Sequence, residues 1–292
     1  MNITIDAYAK INLHLDVTKI RDDGYHDIQS IMQSVSLCDV VEIETLDEQK
    51  IVIECDVDGV PLDERNIAYK AAKAFFDESG ISCGAIIKIK KNIPMAAGLA
   101  GGSADGAAVL VGLNKLFEGV ISEDSLYILG ASLGADIPFC MRCGCCYTSG
   151  IGDKLVSIKS LSSKTVLVIA CGGEGVSTPT AYGMLDNKYD NFHNYTPKDY
   201  KTLVECIEDE NKSFYEYLFN IFEEPIAELR PTVEQIKTLM LDNGANRAMM
   251  SGSGPSVFGV FDDIDSAQNA VKAIEQSGSF ATIASPIENR KI

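Results

Sequence analysis

The order of patterns along the chain predicts an α+β fold in two halves, with strands grouped early and helices grouped late. Three observations carry that expectation. Residues 5–17 alternate apolar and polar side chains at the period of a strand. Residues 94–117 place Gly98, Gly101 and Gly102 close together and then run small and apolar at helical length. Residues 165–170, TVLVIA, read as a buried strand opening a second half, so the domains are expected to be 1–160 and 161–292.

On the first strand Ala7, Ala9, Ile11, Leu13, Leu15 and Val17 share one face, while Tyr8, Lys10, Asn12, His14 and Asp16 share the other. Such a polar face goes to solvent on most half-buried strands, but five different hydrogen-bonding side chains equally suit the wall of a polar cleft. Alternation alone leaves both open. Arg21-Asp22-Asp23-Gly24 is a turn signal ahead of Tyr25-His26, and strands are expected at 40–45 and 51–55. Asn66 caps a helix that runs to Glu78 and stops at Gly80. Residues 85–89 form a strand leading into the glycine-rich stretch. A helix starts near Ser122, with Glu123 and Asp124 in its first turn, and ends at Leu133-Gly134. Asp136 then stands between that helix and an expected strand through the cysteines. In the second half, Ser177-Thr178-Pro179 opens a helix. More helices are expected at 197–209, 213–222 and 231–242, then a strand–turn–strand at 249–261, a helix at 266–276 and an edge strand at 279–285.

The glycine-rich stretch lets successive backbone N–H groups point at one spot. Ser103 is the expected N-cap of the helix that follows, over 104–117, and a helix N-terminus after a glycine loop is a ready anion site. No Gly-Lys-Ser/Thr closes it, so it is not a P-loop, and it lacks the dinucleotide fingerprint. The plainer alternative is a tight turn into a buried helix. Against it, no acidic residue occurs from Ser79 to Ala104, and Lys88, Lys90 and Lys91 lie just upstream, as at a place kept fit for phosphate.

A net charge of −17 argues against a nucleic-acid partner. It also gives an anionic substrate no long-range help, so capture must be local. Asp6 and Lys10 interrupt any early apolar run, and no uncharged apolar stretch is long enough to span a bilayer, so no membrane and a cytoplasmic location are expected. Cys140, Cys143, Cys145 and Cys146 form C-x-x-C-x-C-C without a second ligand cluster. Free structural thiols are therefore expected over a zinc or iron–sulfur site.

P-x-x-x-G-L-x-G-G-S-x-D, residues 94–105, resembles the phosphate-binding motif of the GHMP kinases (galactokinase, homoserine kinase, mevalonate kinase and relatives). Ala100 stands where many members have glycine, and Ala104 where many have a second serine. SGSGPSVF at 251–258 is similar to the family's third motif, and the strand with Lys10 comes first, so the resemblance spans nearly the whole chain in the family's order. AKINL at 9–13, DGYH at 23–26 and GADIPF at 134–139 are similar to the branch that phosphorylates a cytidine-diphosphate-linked methylerythritol in isoprenoid precursor synthesis.

That resemblance implies a two-domain GHMP-kinase-like architecture with the active site in the interdomain cleft, and ATP and Mg²⁺ as cofactors. Pro94, Ala97, Gly98, Leu99, Ala100, Gly101, Gly102 and Ser103 would hold ATP. Asp136 would take the proton of the C2 hydroxyl, with Lys10 between it and the transferring phosphoryl group. An aspartate is a weak base for an alcohol, but the loose transition state lets the proton leave late. Asn12 would hold substrate hydroxyls or phosphate; Tyr25 and His26 the cytosine; Tyr182 would cover the base, with Thr178 beside it. The Mg²⁺ ligands stay open, Ser103 being a candidate. Two other readings remain: a GHMP kinase for another small alcohol such as homoserine or mevalonate, and a non-catalytic ligand-binding relative. DGYH weighs against the first, and the presence of both Lys10 and Asp136 against the second.

Overall fold

The computed structural model describes residues 1–209 and 212–290. Two sheets carry the fold. In the first, β1 (Asn2–Ile20) and β2 (His26–Leu46) form a long antiparallel hairpin. β4 (Gly84–Lys90) pairs with the far half of β2, and β3 (Ile51–Cys55) runs parallel to β4 at the edge. β5 (Cys145–Gly150) takes the near half of β2 and carries β6 (Lys154–Ile158), while β8 (Phe219–Asn220) adds to β1 in parallel. The second sheet joins β7 (Val166–Cys171), β9 (Arg247–Met250), β10 (Val257–Phe261) and β11 (Phe280–Ala284) in the order β11-β7-β10-β9.

Helices α1 (Ile67–Ser79), α2 (Gly101–Leu116), α3 (Glu123–Leu133) and α4 (Ile137–Arg142) share the core of the first sheet. Helices α5 (Thr178–Lys188), α6 (Lys201–Glu208), α7 (Glu223–Leu229), α8 (Thr232–Asp242) and α9 (Ile264–Gln276) belong to the second half. The local signals place most ends. The Asn66 side chain accepts from Ala68 N, and Gly80 closes α1 in the left-handed region. Ser122 and Ser177 cap α3 and α5 in the same way.

Three expectations need correction. Residues 213–222 are not a helix: a 3₁₀ turn at Tyr215–Tyr217 leads into β8, and α7 starts after it. The pairing of Phe219 and Asn220 with His14 and Leu15 extends the backbone there. Ser103 is not the cap of α2, which begins one turn earlier; Ala100, in the left-handed conformation, occupies the cap position. Asp136 precedes the short helix α4 rather than a strand, with Pro138 in the first turn.

Residues 9–17 of β1 are buried on both faces, so that part of its polar face does not go to solvent. Lys10 is 5% exposed, Asn12 3%, and His14 and Asp16 not at all. Its apolar residues change partner along the strand. Ile5 and Ala7 pack with α1 and α2; Ala9, Ile11 and Leu13 lie in a middle core against the second sheet; Leu15 and Val17 join the core of the second half. The register shifts between Tyr8 and Lys10 and between Asn12 and His14 fall where the partner changes, as bulges that re-aim a strand do.

His14 lies between Tyr200 and Phe219 with neither ring nitrogen hydrogen-bonded, and burial pushes its pKa from 6.5 down to about 4. The unfolded chain takes up that proton first, so His14 costs stability as pH falls from about 6.5 to about 4, by about 3 kcal/mol in all. His14→Phe is expected to remove that part of the acid destabilisation, read as the difference between the two proteins' urea-unfolding free energies at pH 7 and pH 4.5.

Candidate active site

Two glycine turns meet over β1. The amide of Lys10, at the first bulge, donates to Leu99 O (3.1 Å), and the amide of Asn12 donates to Ser251 Oγ (3.2 Å). Ser251 Oγ donates in turn to Gly98 O (3.4 Å), and Ser256 N to Ala97 O (3.2 Å). The turns pack backbone on backbone. A Cβ on Gly98, which has φ +77°, would lie 2.4 Å from Ser251 O, and one on Gly252, φ +60°, 2.7 Å from Gly98 O. Asn220, on β8, pins the later turn from behind, its amide donating to Met250 O (2.8 Å) and Gly252 O (2.9 Å). Ala97 and Leu99 are buried in this junction; Pro94 and Gly101 are half-buried, while Gly102 is exposed at the start of α2. Ala100 holds φ +58°, a conformation that glycine takes without strain.

Below the turns, Lys10 Nζ donates to Asn12 Oδ1 (2.5 Å), and Asn12 Nδ2 to Ser30 Oγ (2.8 Å). Burial pushes the Lys10 pKa down, and the charge of Asp136 is the largest influence pushing it back up. The two interact through space; the hydrogen-bond partner of the ammonium is Asn12. Asp136 also faces Tyr182, whose phenol is pushed up to about 12 by burial first and by Asp136 second. One half-buried carboxylate thus lies near both the β1 lysine and an aromatic of α5.

At that aromatic end, His26 stacks on Tyr182 with ring centroids 4.4 Å apart and meets Phe192 edge-on at 6.1 Å. Asp186 Oδ1 lies 2.7 Å from His26 Nε2. Tyr25 points outward, 62% exposed, and Thr178 is exposed on the first turn of α5.

The lysines upstream of the loop do not serve as expected. Lys91 is buried against Asp39 and Asp105, and Asp39 Oδ1 also accepts from the amides of Asn92 (2.6 Å) and Ile93 (2.8 Å). Lys91 is therefore a strut between β2, the chain ahead of the loop and α2. Burial and the neighbouring Asp39 raise the pKa of Asp105. Lys88 and Lys90 are exposed on β4. The four clustered thiols are free and buried; burial raises all four, and Cys145 and Cys146 face different cores. Among the described residues no group of three His, Cys, Asp or Glu side chains could hold a metal ion. A cavity of about 560 Å³ opens elsewhere, behind β8 between Glu223, Lys237 and Arg247.

Sequence reasoning missed Asp105, Asp186, Asn220 and Ser251. Asp105 and Ser251 lie inside the quoted motifs and could have been marked from them. Asn220 carries no local signal; Asp186 stands one helical turn after Tyr182, a spacing that could have marked it.

The family model "GHMP kinases N terminal domain" matches residues 66–144, and "GHMP kinases C terminal" matches residues 198–279. The chain belongs to the GHMP kinase family. It is an ATP-dependent kinase of that family, similar to the 4-diphosphocytidyl-2-C-methyl-D-erythritol kinase of Caldicellulosiruptor bescii, 41% identical over 93% of both chains. The kinase of the same name from Clostridioides difficile strain 630 is 44% identical over 89% of this chain and 86% of its own. A solved structure of 4-(cytidine 5'-diphospho)-2C-methyl-D-erythritol kinase superposes with a TM-score of 0.81 at 27% identity, covering 97% of this chain and 99% of that one. Homoserine kinase from Cytophaga hutchinsonii shares the fold, with a TM-score of 0.75 at 19% identity over 99% of this chain and 96% of that one. The two GHMP kinase matches leave out Lys10, Asn12, Tyr25, His26, Thr178 and Tyr182. No helix among the described residues is long and apolar enough to cross a membrane.

Because Gly98 has a carbonyl where a Cβ would go, Gly98→Ala is expected to cost at least about 2 kcal/mol and to raise KM for ATP more than tenfold. Gly183→Ala, inside α5 with open space around it, is expected to leave KM for ATP unchanged and to raise Tm. Thermal melts and initial rates against ATP concentration check both.

Proposed function

We propose that this kinase phosphorylates the C2 hydroxyl of 4-diphosphocytidyl-2-C-methyl-D-erythritol with ATP and Mg²⁺, in the cytoplasm, as a step toward isoprenoid precursors. One observation carries the reading: two glycine turns meet on β1 over the buried Lys10–Asn12 pair, and the same first hairpin supplies His26, stacked on Tyr182 of α5, so one cleft offers a phosphate end and an aromatic end. Relatives above 40% identity that bear this substrate in their names support it.

In this reading the halves 1–160 and 161–292 each supply one glycine turn, and the cleft between them takes both substrates. Residues 94–103 cradle the phosphates of ATP with backbone N–H groups, helped by the N-terminus of α2. Ser103 is half-buried in the first turn of α2, and its hydroxyl makes no hydrogen bond among the described residues. That hydroxyl, at the end of the glycine loop, suits Mg²⁺ brought in by the nucleotide, with Ser103 as its protein ligand. The ion would offset charge on the phosphate oxygens. Tyr25, His26 and Tyr182 hold the cytosine, Thr178 lies beside them, and Asn12 holds the alcohol next to Lys10. Asp136 orients the C2 hydroxyl and takes its proton late, while the Lys10 ammonium neutralises charge on the transferring group. Working in a buried site, that ammonium needs no field from the rest of an acidic protein.

Release of ADP with the cytidyl alcohol, compared with homoserine and mevalonate, tests the reading; turnover of either of the latter at a higher kcat/KM would overturn it. Asp136→Asn is expected to lower kcat about a thousandfold with little change in KM. The ammonium is needed and burial lowers its pKa, so activity is expected to fall with rising pH below the ordinary lysine value of 10.5. In Asp136→Asn, which loses the upward influence, the residual activity is expected to fall at lower pH still. A kcat–pH profile of both proteins measures the order.

A further inference from the structure

We propose that Asp186 is a positioning residue that selects the base of the substrate: by taking the Nε2–H of His26 it leaves Nδ1 as a bare acceptor, which admits the amino group of cytosine and refuses the carbonyl of uracil. The inference rests on the function proposed above and adds a residue to it.

Little freedom is left to His26. It opens β2, and its backbone is paired with Ile20. Its ring is stacked on Tyr182 with an interplanar angle of 29° and closed at the edge by Phe192. What remains is which nitrogen carries the proton. A carboxylate only accepts, and a neutral imidazole has one N–H. The 2.7 Å contact between Asp186 Oδ1 and Nε2 therefore puts the proton on Nε2. Nδ1 has no hydrogen-bond partner among the described residues. The contact is shielded, with side-chain exposures of 9% for His26 and 29% for Asp186, so it is more than a loose surface pair.

The placement follows from helix geometry. Asp186 comes four residues after Tyr182 on α5, hence on the same face one turn along. One helix thus supplies both the surface that stacks on His26 and the group that sets its tautomer. At the edge of a pyrimidine, an acceptor at Nδ1 pairs with the 4-amino group of cytosine. The 4-carbonyl of uracil would bring two lone pairs together and leave both unpaired.

The test uses the full chain with Asp186→Asn and Asp186→Glu. An asparagine can donate as well as accept, so it no longer dictates the tautomer. Long-range ¹H–¹⁵N spectra of the three histidines, assigned with His14→Phe and His193→Gln, report the proton directly. The Nε2–H form is expected in the parent, a mixture in Asp186→Asn, and recovery in Asp186→Glu. In parallel, the ratio of kcat/KM for the cytidyl alcohol over its uridyl counterpart is expected to fall at least tenfold in Asp186→Asn. The loss should lie in KM for the cytidyl alcohol and not in KM for ATP, with partial rescue in Asp186→Glu. An unchanged tautomer or an unchanged ratio in Asp186→Asn overturns the proposal, even if Tm drops. A parent enzyme that turns over neither pyrimidine-linked alcohol sinks the functional reading instead, and the spectra still decide what Asp186 does to His26.

Discussion

The two backbone amides that β1 withholds from its neighbour, those of Lys10 and Asn12, tie the two glycine turns of this kinase to one strand. The two residues are two apart on β1, so both amides point to the same edge, away from β2, and there β8 pairs only with His14 and Leu15. The register shifts on either side of them turn the apolar side chains from the helical layer toward the second half. Because Gly98 and Gly252 touch with no side chain between them, the turns have one way to meet, and Asn220 holds that arrangement from β8.

Charge is managed at short range. With a net charge of −17, the surface repels phosphates, and Lys91, one of the three lysines just upstream of the loop, is held by two carboxylates. A buried ammonium with one nearby aspartate is stronger than several exposed lysines would be, since water and salt screen it less. Burial opposes its charge and Asp136 offsets part of that, leaving the pKa below the ordinary lysine value. The pair thus holds the ammonium at the cost of desolvating it, a cost that the surrounding fold carries.

The opposite end of the site uses shape more than charge. Tyr182 packs edge-on against Phe222 and flat against His26, so the aromatic wall belongs to the core of the second half although His26 comes from the first. A base bound there would be read by groups from both halves.

Much of this was legible in local patterns. The caps Asn66, Ser122 and Ser177, the glycines of the two turns and the alternation of residues 5–17 each act on neighbours within a few residues, where sequence spacing is spatial distance. They determined the elements, and the motif residues Lys10, Asp136, His26 and Tyr182 were named from resemblance alone. Partners far apart in the chain were decided only by the tertiary structure. Whether Lys91 meets phosphate or Asp105, whether the polar face of β1 is wet or buried, and that Asp186 reaches His26 across 160 residues depend on how layers pack. The energy of burial belongs to the assembled surface and not to any one segment, so no reading of one segment contains it.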